Sequence, residues 1–518
     1  MAVMAEKPDP SSVMRIPEIL LNIFKYLDGY PVTLLSVLRV NKTWFDCGAS
    51  VAWKTATVST LAAASEENRH VYASKIHHLS FNGGVDSAQH EKFKDLEFTN
   101  LRSISIDAYR PKDGKVYLQQ YLRPTLEGIF IYGSDLDPEF FTTMQAQCRR
   151  LREITLDSPG NKLNSEQFLS FLKGCPSLQA MKFMYGMDGI INDDIVTHLA
   201  SRDNLQTLAL GRVINSEMME RLLETVPAPF ENIKSLTLSV TSAAFRLLTP
   251  HISSVTTLEL IAKDNEHSVL ELVSTLKNLR RLTVNYATNT NLMSTELLSL
   301  KNLPNLEAIS LNGVQQEIDN FNLDCFQFTD TDFDNLLLHL PRLLSLNFGV
   351  QCMLTSVALK TVAKRCPLLD SLQILVPIDS SIIRPETPEQ KPMLPELQTL
   401  DLAGFERPAD VPLNDKEAAI AAAKTIATHF AHQFPKLREL FFMGDDPFSD
   451  RLAREFDRLI GRNADRGYDD PELTDDEAEG EGEATQSVAV EETFRGLDEL
   501  TEAGEEANEG DDVIIYIP

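Results

Sequence analysis

The stretch Leu151-Arg152-Glu153-Ile154-Thr155-Leu156-Asp157 carries the pattern on which the fold turns. Leu151 opens it, and Ile154 and Leu156 then alternate with Glu153, Thr155 and Asp157. Alternation at period two puts Ile154 and Leu156 on one side of a short strand and the polar residues on the other. Downstream, Phe168, Leu169 and Leu172 stand at i, i+1 and i+4, the spacing of one helical face. A strand and a helix that are each apolar on one side cannot bury that surface alone. Stacked copies can.

The copies are present. The hexamer L-x-x-L-x-L, with Ile, Val, Met or Phe as substitutes, recurs fourteen times. It opens at Ile76, Leu101, Leu126, Leu151, Leu178, Leu205 and Ile233, then at Val255, Leu279, Leu306, Leu343, Leu369, Leu397 and Leu437. Eleven of the thirteen intervals fall between 22 and 28 residues, inside a repeat range of roughly 20–29. From about Ile76 to Met443 the chain resembles leucine-rich-repeat proteins. That resemblance implies an α/β solenoid of about 14 repeats, with a parallel sheet on the concave face and helices on the convex one. Cys148, Cys175 and Cys366 each sit three residues before an opening Leu, where other copies place Leu303, Leu340 or Phe434. A position shared with Leu and Phe is a packing position.

Two intervals are long. Between Leu311 and Leu343 the stretch 315–334 interleaves five Asp with Phe321, Phe326, Phe328 and Phe333. It reads either as a loop fastened by its phenylalanines or as a partner-binding loop on one rim. It lacks the Gly and Glu positions of an EF-hand calcium loop. Between Leu402 and Leu437, Asn414-Asp-Lys-Glu417 starts an Ala-rich segment that predicts a lengthened convex helix to about Gln433.

The chain has 518 residues, 43% hydrophobic, and a formal net charge of −28. At roughly 100–200 residues per domain, this length means several domains or one long array. Residues 469–518 hold nineteen Asp or Glu against Arg495 alone, a charge of −18 that leaves −10 for the rest. So acidic a chain offers no clustered Lys and Arg for nucleic acid or an anionic membrane. No apolar run reaches the length of a membrane span, and 1–13 reads as a disordered leader without a signal-peptide core. Six Cys without a C-x-x-C suit neither a disulfide scaffold nor a zinc module. The expected home is cytoplasm and/or nucleus. The acidic tail, 463–518, is expected to be disordered, with its apolar end Val513-Ile-Ile-Tyr-Ile-Pro518 docking back as a short strand.

Residues before the repeats read differently. Ile16, Ile19, Leu20, Ile23, Phe24 and Leu27 predict an amphipathic helix, with Pro17 at its first position. An apolar stretch, 34–40, follows, and both tryptophans of the protein, Trp44 and Trp53, lie close behind. This is a helical unit of about 40 residues, too small to hide its apolar surface alone. Ile16-Pro-Glu-Ile-Leu20, Ile23-Phe24, Tyr26-Leu27, Val40-Asn-Lys-Thr-Trp44 and Trp53 resemble the F-box. That motif typically runs L-P-x-E-I-L-x-x-I-F-x-x-L, then V-C-K-x-W, then L-W. Here Ile16 replaces the first Leu, no spacer separates Pro17 from Glu18, Asn41 replaces Cys, and Ala52 precedes the last Trp. The plainer reading is that 14–58 only caps the end of the solenoid.

With the repeats at 59–462, the whole chain resembles F-box proteins with leucine-rich repeats, fungal-like in its loose repeats. The resemblance implies the substrate-recognition subunit of a Skp–cullin–F-box ubiquitin ligase. A Skp-type adaptor, and through it a cullin, would dock on Ile16, Pro17, Glu18, Leu20, Ile23, Phe24, Leu27, Val40, Trp44 and Trp53. A protein substrate would meet the concave sheet, where Phe130, Tyr132, Met184 and Ile261 are apolar at outward positions and Asp157, Lys182, Glu259 and Arg281 are charged. Phe441 and Met443 share the apolar pattern. No catalytic residue, cofactor or metal is expected: the ten His form no ligand set, and no phosphate loop, nucleophile elbow or H-E-x-x-H occurs. The other readings are a regulator of a small GTPase, suggested by repeats with an acidic tail, and a non-ligase interaction scaffold.

Overall fold

The computed structural model describes residues 16–27, 30–81, 90–107, 118–313, 323–385, 387, 390–409, 411–412, 415–444 and 446–462. The expectations for the leader and for the acidic tail with its apolar end lie outside these residues. The described chain forms two compact units, residues 16–192 and 193–462.

The first unit begins with three short helices, Pro17–Phe24, Pro31–Leu38 and Lys42–Ala52. Six strands follow: β1 (Thr55–Thr57), β2 (His78–Phe81), β3 (Ser103–Asp107), β4 (Gly128–Tyr132), β5 (Glu153–Asp157) and β6 (Ala180–Phe183). Each pairs in parallel with the next, in chain order. The pairing keeps the repeat in phase. Leu79, Ile104, Ile129, Ile154 and Met181, the fourth residues of successive hexamers, are direct neighbours across the strands. All are buried. Helices Pro138–Gln147 and Ser165–Gly174 cover this inner face, with the Phe168 ring 5.2 Å from Phe183 of β6 and Phe141 5.3 Å from Phe171. The second helix starts at a capping box, Asn164 with Gln167, which satisfies two otherwise unpaired backbone donors. Its buried face is Phe168, Phe171 and Leu172. Leu169, expected on that face, is only half-buried.

The second unit repeats the scheme with nine parallel strands. They are β7 (Thr207–Ile214), β8 (Ser235–Val240), β9 (Thr257–Ala262), β10 (Arg281–Tyr286), β12 (Ala308–Gly313), β14 (Ser345–Phe348), β16 (Ser371–Asp379), β17 (Thr399–Glu406) and β18 (Glu439–Phe442). The inner row again stays in register, from Leu208 through Leu236, Leu258, Leu282, Ile309, Leu346, Leu372 and Leu400 to Leu440. Burying each such side chain contributes about 1.5–3 kcal/mol, so the row is a principal source of stability. All fourteen hexamers fold as strands.

The helix expected after Leu402 is present as Lys416–Gln433, and Asp415 caps it by accepting from the Ala418 amide at 2.9 Å. Cys148, Cys175 and Cys366 are buried as their packing positions require. Burial pushes the Cys148 and Cys366 thiols up to about 12.

The long insert differs from expectation. Of the stretch 315–334, residues 315–322 with Phe321 lie outside the described residues; in the rest, Leu323–Thr329 forms strand β13 and Asp330–Leu338 a helix of the repeat, where a loop was expected. Phe328 and Phe333 are buried beside Phe348, while Phe326 is exposed. β13 lies between β11 (Thr290–Asn291) and β15 (Gln351–Met353) in a second, three-stranded sheet. Sequence alone concealed this because the partners of β13 are only two and three residues long and come from other repeats, where no local periodicity reports them.

Candidate partner-binding surfaces

The three N-terminal helices share one small core. Leu20, Phe24, Leu34, Cys47 and Val51 are buried together, with Leu21, Leu27, Val37 and Trp44 packed against them. Phe24 meets Trp44 edge to face at 5.4 Å. Asn41 starts the third helix by accepting from the Trp44 amide at 3.0 Å. A Cβ on Gly48 would lie 2.5 Å from Leu38 Cδ2, so any larger residue there must displace the Leu38 side chain.

This core divides the expected docking residues. Ile16, Pro17, Glu18, Ile23 and Val40 face solvent, and Leu27 and Trp44 are half-buried. Leu20, Phe24 and Trp53 are interior and cannot present a surface. Leu20 and Phe24 hold the helices together. Trp53 stacks on Tyr72 at 4.3 Å, fastening the module to the helix Glu66–Lys75. The apolar stripe of the first helix is wider than the module can cover, so its Ile16–Ile23 edge stays outside. Tyr26 and Tyr30, 85% and 65% exposed, extend that edge. Neither was among the expected docking residues. Their signal is an aromatic just beside the helix's core positions.

In the first unit the outward row runs Ser80, Ser105, Phe130, Thr155, Lys182 across five strands. Phe130 is half-buried, its ring folded back over Gly128, where an added Cβ would sit 3.1 Å from it. Lys182 pairs with Glu153 at 3.5 Å. Between Phe130 and Lys182, Thr155 is 4% exposed. Its burial means that strand alternation alone does not make Thr155 a surface residue.

Asp157 departs from the expected role. It is buried, and its Oδ1 accepts the amides of Met184 and Tyr185 at 2.8 and 3.0 Å. The carboxylate thus holds the turn after β6 and is not a free charge for a partner. The chain beside it is tightly tied. Ser158 has a positive φ of 49°, the Asp157 carbonyl accepts from Gly133, and the Ser158 amide donates to the Tyr185 carbonyl. Exposed Tyr132 pairs with Asp157 across the strands, and half-buried Met184 and exposed Tyr185 follow on the next turn. Tyr185 belongs to this aromatic patch and lies just past the hexamer, where strand alternation no longer assigns a face.

In the second unit, Glu259 and Ile261 of β9 are half-buried and Arg281 of neighbouring β10 is exposed. Thr237 donates to Glu259 at 3.3 Å. The adjoining outward positions are amides: Asn312 donates to Asn285 at 3.1 Å and to Ser310 at 2.9 Å. Farther along, Phe441 of β18 lies beside Asp401, whose carboxyl burial raises above the usual carboxylate range. Phe441 and Met443 are exposed. Among the described residues no three His, Cys, Asp or Glu cluster as metal ligands do, and no helix is long and apolar enough to cross a membrane.

No protein-family description matches the chain, and no curated protein matches it. Among solved structures it is similar to a chain in the crystal structure of the Rad7 and Elc1 complex in yeast. The two are 17% identical, the match covers 79% of this chain and 97% of that one, and the TM-score is 0.39. So loose a superposition carries no argument about this chain.

Proposed function

We propose that the protein is a non-catalytic substrate adaptor of a Skp–cullin–F-box ubiquitin ligase, acting in cytoplasm or nucleus. One observation carries the reading beyond the sequence resemblance. Within residues 16–40, five large apolar or aromatic side chains, Ile16, Ile23, Tyr26, Tyr30 and Val40, face solvent on a module whose core is already filled. Exposed apolar groups gathered in so short a segment suit a protein partner. The Skp-type adaptor meets that edge, with Glu18 and Pro17 at the helix start, and the cullin follows through the adaptor. The repeat units present the substrate surface, for which the patch of Phe130, Tyr132, Met184 and Tyr185 has the aromatic composition of an interface centre.

The test uses the exposed edge and leaves the core alone. Ile23→Ser with Tyr26→Ser should cut recovery of a Skp-type adaptor in a quantitative pull-down by more than tenfold, the scale of losing two interface anchors. Circular dichroism should be unchanged. Adaptor recovery at the unmutated level would reject the reading.

A further inference from the structure

We infer that Cys325 and Cys352 form a reversible disulfide, a covalent modification site within the small sheet of the second unit. The two lie in different repeats, but strands β13 and β15 pair them directly, Cys325 opposite Cys352. Directly paired residues project to the same side of a sheet. Neighbouring strands are roughly 4.8 Å apart, inside the Cα separation of about 4.4–6.8 Å that a disulfide spans. Cys325 is buried, with Ser294 Oγ 3.9 Å from its sulfur, and Cys352 is half-buried. Cys352 is therefore the more accessible residue of the two. The remaining four cysteines, Cys47, Cys148, Cys175 and Cys366, are buried. Burial holds the thiols of Cys47, Cys148 and Cys366 up.

The electrostatics support the geometry. The Cys352 thiol donates toward Cys325, which holds the Cys325 thiol down at about 7 and pushes Cys352 up. Cys325 is thus the base placed to take the Cys352 proton, and the thiolate so formed at half-buried Cys352 is the attacking group.

The oxidant is a low-molecular-weight disulfide, RSSR, of the glutathione type. Cys352 Sγ attacks one sulfur of RSSR as its proton passes to Cys325, the S–S bond breaks, and RS⁻ leaves. RS⁻ then takes the proton from Cys325. The Cys325 thiolate attacks Cys352 Sγ, the mixed disulfide breaks, and a second RS⁻ leaves and takes a proton from water. Two thiols are oxidised to one disulfide and one RSSR is reduced to two RSH. The product staples β13 to β15, beside the exposed side chains of Phe326 and Met353.

The experiment incubates the full chain in glutathione buffers from reducing to oxidising, quenches with acid, blocks free thiols with N-ethylmaleimide and maps peptides by mass spectrometry. In the oxidised sample the blocked cysteines should fall from six to four, with one crosslink joining the Cys325 and Cys352 peptides, and dithiothreitol should restore six. Cys325→Ser should trap glutathione on Cys352, because no resolving thiol remains. Six blocked cysteines at the most oxidising ratio, a stable glutathione adduct on wild-type Cys352, or a crosslink between other cysteines would each overturn the inference.

Discussion

Ile154 and Ile23 both lie on the apolar stripe of an amphipathic element, yet Ile154 is 0% exposed and Ile23 is 40% exposed. The difference is one of neighbours. Ile154 has Ile129 on one side and Met181 on the other, in the same register, with helices packed over the row. Each repeat covers the next, so apolar surface made by a strand is hidden by the chain itself. The first helix belongs to a module of three short helices, and its core closes with Leu20 and Phe24 while Ile16 and Ile23 remain outside. In the repeats a hydrophobic pattern reports a core. In the module part of the same pattern reports a surface.

The strongest way to break this contrast is to place a charge in each region. Ile154→Asp buries a carboxylate with no partner, and the expected loss is about 4 kcal/mol or more in urea unfolding. Thr155→Asp, which strand alternation alone would make neutral, should cost about 2–3 kcal/mol because Thr155 is buried. A neutral Thr155→Asp would show that the outward row is open after all.

Next in size is the turn that fixes the aromatic patch. Gly186 has φ +65°, and a Cβ there would stand 2.9 Å from Ser158 Cα. Gly186→Ala combines a left-handed conformation with a backbone clash, so about 2–3 kcal/mol should be lost. Asp157 should release the Met184 and Tyr185 amides, which hydrogen exchange would read as faster exchange at those two sites. Unchanged protection there would refute the role given to this turn.

Burial also sets a pH dependence. His90 is fully buried, 2.8 Å from the Tyr121 hydroxyl, and desolvation lowers it to about 4 from the ordinary 6.5. The folded chain therefore resists a proton that the unfolded chain accepts. Stability from this residue is intact above pH 6.5 and drains away as pH falls toward 4, by about 2 kcal/mol at pH 5. His90→Asn should flatten that part of the stability profile between pH 7 and 5. An unaltered slope would mean that His90 is not held neutral.

The smallest effect belongs to the module: Ile23→Asp should change stability by no more than about 0.5 kcal/mol, as a surface substitution does. A large loss in thermal unfolding would mean that Ile23 is packed, and the proposed adaptor edge would go with it.

These regions also differ in how far residue order alone reveals them. Each of the fourteen strands was legible because Leu151, Ile154 and Leu156, and their counterparts, carry the whole signal within six residues. The cap at Asp415 and the buried phase of Cys148, Cys175 and Cys366 were legible for the same local reason. The role of Asp157 was not, since its partners are amides 27 and 28 residues away. Nor was the small sheet, whose strands β11 and β15 are only two and three residues long. At the module, spacing identified the apolar residues, but only packing separates Leu20 from Ile23.

The in-register row of the first unit has a mechanical consequence. Every strand from β2 to β5 is bonded only to the one before and the one after. A pull on the N-terminus therefore loads one strand pair at a time, and the sheet should come apart like a zipper. Hexamers here open 25 to 27 residues apart, so each step would release about 80–95 Å of extended chain. Such a stack offers a pulling machine many small obstacles in series and no single large one.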